Sequence, residues 1–199
     1  MLAAVILSGG ASQRMGSPKA LLPYQGRPFL EHLLEVTKHP KISARRVVLG
    51  AHAEPITSAV HLKADEVVTN EDWESGQLSS IQAGIRSLPA GTDGMILCLI
   101  DHPLISGTLI NDLIERFYAA QAAEQATITL PVFQGQRGHP VIFSAALYEE
   151  LLAAPRDKGA RAVVWAHANE VSEMPTTEQG CVLNLNDPET LQRATGRLG

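Results

Sequence analysis

Seven short aliphatic or β-branched runs recur along the chain with longer segments of helical period between them, and this alternation restricts the fold more than any other feature. The runs are LAAVIL (2–7), RVVL (46–49), EVVT (66–69), MILCLI (95–100), ATITL (126–130), PVIF (140–143) and CVLN (181–184). Runs that are apolar at nearly every position suit strands buried on both faces, as in a parallel sheet covered by helices. The expected architecture is therefore α/β, doubly wound and mainly parallel. At roughly 100 to 200 residues per domain, a chain of 199 residues is expected to form a single domain over 1–199. Pro28 opens one expected helix, with Phe29, Leu30, Leu33 and Leu34 on one face. Ser106 is placed to cap another that carries Leu109, Ile110, Leu113, Ile114 and Phe117, and Ser144 a third through Leu152. The stretch 131–139, with Gly135 and Gly138 around Gln136 and Arg137, reads as an irregular loop beside an active site.

A formal net charge of −5 with 45% hydrophobic residues is a composition that packs a core, so disorder is excluded as the main state. Nothing global points to nucleic acid or an anionic membrane as partner. The apolar runs are far short of the ~18 residues of a membrane helix, and the N-terminal run lacks a basic leader, so a cytoplasmic protein is expected. Cys98 and Cys181, each inside an apolar run, suit buried reduced thiols. His32, His39, His52, His61 and His167 lack metal-ligand spacing and are expected on solvated helix faces.

Chemistry in an open parallel sheet is sought just beyond the carboxyl ends of its strands. The first strand leads into Ser8-Gly9-Gly10-Ala11-Ser12-Gln13-Arg14-Met15-Gly16-Ser17-Pro18-Lys19. Glycines let the backbone approach a ligand closely and offer N–H groups to an anion. Arg14 can fork onto phosphate oxygens, and Lys19 adds a point charge. No Gly-Lys-Ser/Thr closes the loop, and no Gly-x-Gly-x-x-Gly occurs in it, which weakens ATPase and dehydrogenase readings.

Taken together, residues 7–19 resemble the L-x-x-G-x-x-x-R-M-G-x-x-K signature of nucleotidyltransferases that join an NTP to a phosphorylated acceptor. The pattern looks most like the molybdenum-cofactor branch, the molybdopterin cytidylyl- and guanylyltransferases, and the likeness continues along nearly the whole chain. It implies a Rossmann-like fold. Asn70-Glu71-Asp72-Trp73-Glu74-Ser75-Gly76-Gln77-Leu78-Ser79-Ser80 resembles the branch's N-x-x-W-x-x-G-x-x-x-S segment. The nucleotide side is thereby implied at Leu7, Ser8, Gly9, Gly10, Ser12, Gly76, Ser79 and Ser80. Asp101, in Leu99-Ile100-Asp101-His102-Pro103, ends an apolar strand in a carboxylate, the expected ligand of Mg²⁺. The family usually has Gly or Cys where Ile100 stands.

Gln136-Arg137-Gly138-His139-Pro140-Val141 and Asp157-Lys158-Gly159-Ala160-Arg161 resemble elements on the acceptor side of the cytidylyltransferase-like branch, which implies acceptor contacts at Arg137, His139, Lys158 and Arg161. Asn184-Leu185-Asn186-Asp187-Pro188-Glu189 aligns with the family's D/N-x-D/N-T-P-E. Here amides occupy positions where relatives place metal-binding aspartates, and amide oxygens bring no negative charge.

The implied reaction joins CTP, or GTP, to the phosphate of a molybdopterin-type acceptor and releases pyrophosphate. Arg14, Lys19 and Asp101 are the expected catalytic residues, with a molybdoenzyme or its chaperone as the implied recipient. A phosphate nucleophile is already anionic, so no Ser-His-Asp or Cys-His constellation is required. The downstream elements point to CTP and Gly9 to GTP; length of match favours CTP. A different phosphorylated acceptor, such as a sugar or isoprenoid alcohol phosphate, and a non-catalytic molybdopterin-binding module are the alternatives. Intact Arg14, Lys19 and Asp101 argue against the second.

Overall fold

The computed structural model describes residues 1–12 and 16–196. The chain opens with β1 (Leu2–Ser8), a small antiparallel hairpin of β2 (Pro23–Tyr24) and β3 (Arg27–Pro28), and α1 (Phe29–Val36). β4 (Ile42–Leu49), α2 (Ala53–Ala59), β5 (Val67–Thr69), α3 (Gln77–Arg86), β6 (Gly94–Leu99) and α4 (Gly107–Ala122) follow. The last third holds β7 (Ile128–Phe133), β8 (Gln136–Arg137), β9 (Val141–Ser144), α5 (Tyr148–Ala153), α6 (Arg161–Ala166), β10 (Val171–Pro175) and α7 (Pro188–Gly196).

The main sheet runs β10-β7-β9-β6-β1-β4-β5, with β8 paired to β7. β1 is parallel to both β4 and β6, β4 to β5, and β7 to β10; β9 lies antiparallel between β6 and β7. The sheet is thus mainly parallel. β1 is buried along its whole length, and its alternating side chains separate two cores. Leu2, Ala4 and Ile6 face α1 and α4 through Leu30, Leu33, Ile110, Leu113, Ile114 and Phe117. Val5 and Leu7 face α3 and α5 through Ile81, Ile85 and Leu151. Burial on both faces is why these runs carry so few polar positions.

The helices begin where their caps place them. Ser106 Oγ accepts the Leu109 N–H at 3.0 Å and starts α4. Pro28 precedes α1, and Ser144 accepts the Ala146 N–H at the turn leading into α5. After β1 the chain winds outward to β4 and β5 and then returns to β6 on the other side of β1. The carboxyl ends of β1 and β6 therefore flank the point where the strand order reverses, where a ligand crevice forms.

Two readings of the sequence are corrected. The stretch 131–139 is the β7–β8 hairpin, with Val132 opposite Arg137 and Phe133 opposite Gln136. Its turn residues Gln134 and Gly135 both have positive φ, 48° and 82°, so two residues close the hairpin, a geometry that suits right-twisted strands. CVLN (181–184) is not a strand. A 3-10 turn, Gln179–Cys181, opens the segment, and its backbone bonds go to loops: the Cys181 carbonyl accepts from His139 N, and Leu185 N donates to the Asp101 carbonyl. The strand on that side of the sheet is β10, whose sequence, VSEMP, is too polar to stand out as a run.

Candidate active site

A cleft of about 630 Å³ opens at the carboxyl ends of β1 and β6. Its floor and walls include Leu7, Ser8, Gly9, Gly10, Ala11 and Ser12 from the first loop, Trp73, Glu74, Gly76, Gln77 and Ser80 from the segment entering α3, and Leu99, Ile100 and Asp101 after β6. Lys19 and Asn186 complete it. The turn at the end of β6 is held to β1 by Ile100 N donating to Leu7 O at 3.1 Å, which brings the carboxylate beside the glycine loop.

Lys19 begins a 3-10 turn, Lys19–Leu21, and its backbone N–H donates to Ser12 Oγ at 3.2 Å, fixing the far side of the loop. Its ammonium donates to Asn186 Oδ1 and lies 3.8 Å from Asp101 Oδ2. Leu185 N donates to the Asp101 carbonyl at 2.7 Å, so the segment bearing Asn186 is tied to the residue bearing the carboxylate. A cation, a carboxylate and an amide oxygen from three distant parts of the chain thus meet at one wall.

The opposite wall rests on Asn70, which is buried. Asn70 Nδ2 donates to Ser79 Oγ at 2.9 Å and Ser80 Oγ at 3.0 Å, while Asn70 Oδ1 accepts from Asp72 N. The Ser79 hydroxyl is turned onto the carbonyls of Asp72 and Gly76, both at 2.8 Å, which places it in the scaffold of the loop and away from the cleft lining. Ser80 does line the cleft. A Cβ on Gly9 would meet Ser80 Oγ at 2.8 Å, so any side chain there would displace the Ser80 hydroxyl where the loop lies against α3. Gly50 is constrained in the same way, since a Cβ would come within 2.7 Å of Trp73 Cβ.

Of the residues expected at the site, Leu7, Ser8, Gly9, Gly10, Ser12, Lys19, Gly76, Ser80 and Asp101 converge on the cleft. Arg14 lies outside the described residues. The expected acceptor residues are elsewhere. Arg137 pairs with Glu173 at 2.7 Å on the exposed face of the hairpin. Lys158 and Arg161 are exposed, Arg161 with its guanidinium 5.9 Å from the Trp165 ring centroid. An ion pair of Arg156 with Asp72 at 3.2 Å places the turn that carries Lys158 near the Trp73 edge of the cleft.

His102 Nε2 lies 4.0 Å from Asp101 Oδ1, the His139 ring centroid is 5.0 Å from that of His102, and the Nδ1 atoms of both rings are buried without a hydrogen-bond partner among the described residues. Burial pushes His139 down to about 4 and also lowers His102, so both imidazoles are neutral near pH 7. Neutrality of the two rings adds no positive charge beside the carboxylate.

Asn70, Trp73 and Asn186 belong to motifs visible in the sequence, but their structural tasks were not. Gly50 carried a signal, a glycine directly after an apolar strand, as at Gly9. His32 and His52 are not solvated as expected: His32 Nε2 bonds the Ile105 carbonyl at 2.9 Å, and His52 Nε2 bonds the Ala11 carbonyl at 2.8 Å. His167 bonds Glu150 and Glu170. Cys98 and Cys181 are buried and free, with burial raising the Cys98 thiol to about 12.

Among the described residues no group of three or more His, Cys, Asp or Glu side chains is placed to hold a metal ion. The oxygen donors lining the cleft include the carboxylates of Asp101 and Glu74 and the Asn186 amide, and the Asp101 carboxylate with the Asn186 amide fits a hard dication that takes its other ligands from phosphate and water, as Mg²⁺ commonly does.

An open α/β sheet with a glycine-lined cleft at its reversal point, and a lysine and a carboxylate facing one backbone loop, suits a phosphate-bearing ligand. The chain belongs to the MobA-like NTP transferase domain family, whose model matches residues 4–171. It is 34% identical over 161 residues to nicotine blue oxidoreductase of Paenarthrobacter nicotinovorans, covering 79% of this chain and 78% of that protein. Molybdenum cofactor guanylyltransferase of Cereibacter sphaeroides is 29% identical over 198 residues, covering 98% of this chain and 95% of its own. The crystal structure of Rv0371c from Mycobacterium tuberculosis H37Rv superposes with a TM-score of 0.84 at 26% identity, covering 98% of this chain and 99% of that one.

Proposed function

We propose that this nucleotidyltransferase moves a nucleoside monophosphate from GTP to the phosphate of a molybdopterin-type acceptor, releasing pyrophosphate. The observation that carries the reading is the convergence of the 9–12 backbone, Lys19 and Asp101 on one cleft. An acceptor phosphate oxygen attacks the α-phosphorus in line, a new P–O bond forms, and the bond to the β-phosphate oxygen breaks. The leaving pyrophosphate gains charge, and Lys19 and the loop N–H groups are positioned to take it up. Catalysis is then orientation and charge stabilisation, with no covalent enzyme intermediate. Mg²⁺, held by Asp101 with help from Asn186, would neutralise phosphate charge.

The choice of GTP over CTP rests on the near full-length likeness to a guanylyltransferase, and it reverses the preference drawn from the downstream motifs. CTP remains the second reading because those motifs, at 136–141 and 157–161, are of the cytidylyltransferase-like kind. Purified protein incubated with Mg²⁺, molybdopterin and each NTP in turn tests both. Pyrophosphate release with GTP above that with CTP is expected; release with CTP alone reverses the base assignment. Release with neither nucleotide would overturn the molybdopterin-type acceptor reading.

A further inference from the structure

We propose that His52 is a positioning residue that sets the phosphate-binding backbone at 9–12, an inference that rests on the nucleotide reading of the cleft. The loop leans on the segment that follows β4. Ala51 N donates to the Gly9 carbonyl at 3.1 Å, and His52 Nε2 bonds the Ala11 carbonyl at 2.8 Å. A carbonyl oxygen only accepts, so the ring must carry its proton on Nε2.

Two carbonyls two residues apart are thereby drawn to the same side. In a trans peptide the C=O of one residue and the N–H of the next point in opposite directions. Fixing the Gly9 and Ala11 carbonyls onto 51 and 52 turns the N–H groups of Gly10 and Ser12 away from that ledge, and both residues line the cleft. Ser12 has φ 51°, the left-handed conformation that lets successive N–H groups converge on an anion. Gly50 completes the ledge, because no side chain fits between it and Trp73.

His52 also begins α2, yet its side chain makes no capping bond to that helix. The imidazole is committed to the loop. An alanine at 52 leaves the helix start as it is and frees the Ala11 carbonyl, so the 11–12 peptide can rotate and its N–H no longer has a set direction.

The chain has two tryptophans, Trp73 in the cleft and Trp165 on α6, 60% exposed. In a Trp165→Phe background, fluorescence therefore reports on the cleft alone. Titrations of GTP, inorganic pyrophosphate and guanosine are compared for that parent, His52→Ala and His52→Gln, with thermal unfolding as the check on folding. His52→Ala is expected to weaken GTP and pyrophosphate by about tenfold, the scale of one hydrogen bond, and to leave guanosine within twofold. His52→Gln, whose amide N–H reaches as far as the imidazole, is expected to recover most of the loss. Equal GTP and pyrophosphate affinity in His52→Ala, or an equal loss for guanosine, overturns the proposal while the nucleotide reading stands. A parent that binds no NTP and no pyrophosphate overturns both.

Discussion

Lys19 Nζ lies 3.8 Å from Asp101 Oδ2, although the two residues come from loops after different strands, β1 and β6. Both side chains are largely buried, so the pair is little screened by water. Lysine and carboxylate hold each other at the place where a triphosphate and its metal ion would claim them separately. On the proposed function, nucleotide binding would draw Lys19 away from Asp101 and Asn186 and onto phosphate.

Asp101→Asn is expected to lower kcat at least about 100-fold, since charge stabilisation by a correctly held dication supplies several kcal/mol of barrier lowering. The fold is expected to persist, because the bond from Leu185 N goes to the backbone carbonyl of residue 101. Pyrophosphate release at the parental rate by a folded Asp101→Asn protein would show that the carboxylate takes no part.

Lys19→Ala is expected to cut kcat/KM by about two orders of magnitude, the usual cost of one electrostatic contact made in the transition state. Lys19→Arg is expected to rescue only part, because the guanidinium fork does not fit the compact site between Asp101 and Asn186. Steady-state kinetics within twofold of the parent for Lys19→Ala would make the residue a structural partner of Asn186 alone.

Gly9→Ala is expected to raise KM for the nucleotide with both GTP and CTP, because the added methyl meets Ser80 Oγ, whose bond to Asn70 opposes rotation. The distance from that methyl to Ser80 Cβ would be 3.9 Å, ordinary contact. Removing the hydroxyl therefore relieves the clash. In a double-mutant cycle, Gly9→Ala with Ser80→Ala should be less impaired than the two single losses combined predict. Strict additivity would place the effect of the methyl on the nucleotide itself.

His167 joins α5 to the chain before β10, with Nε2 2.9 Å from Glu150 and Nδ1 3.0 Å from Glu170. Hydrogen bonds that its ring N–H groups donate to Glu150 and then to Glu170 raise its pKa above the ordinary 6.5, and accepting from His167 lowers that of Glu170 below 4.5. A raised histidine contributes stability that is complete below 6.5 and lost as pH rises through the folded value; a lowered glutamate contributes above 4.5 and loses it as pH falls. The difference in Tm between the parent and His167→Gln should be largest between 4.5 and 6.5 and shrink as pH rises beyond 6.5. A difference that does not vary with pH would remove the charge from the account.

The apolar runs made the doubly wound sheet legible, because strands buried on both faces must be apolar at successive positions, as in LAAVIL and MILCLI. The glycine loop, Lys19 and Asp101 were legible as a group, since chemistry collects where such strands end. β10 was not, because an outer strand can alternate Ser172 inward and Glu173 outward without forming a run. CVLN misled for the opposite reason: Cys181 is fully buried, but from the end of a 3-10 turn and not from a strand. The roles of His52 and Asn70 depend on contacts between segments 41 and 10 residues apart that no local pattern records.

β9 is the strand that joins the two parts of the sheet, antiparallel to β6 on one side and β7 on the other, with Leu97 opposite Val141 and Ile128 opposite Phe143. During synthesis the four parallel strands β1, β4, β5 and β6 are all translated before it. For that interval β6 presents a bare hydrophobic edge with unsatisfied amides, the kind of surface that recruits foreign strands. Chains released before residue 141 therefore carry the glycine loop, Lys19 and Asp101 together with an aggregation-prone edge, and β9 is what closes it.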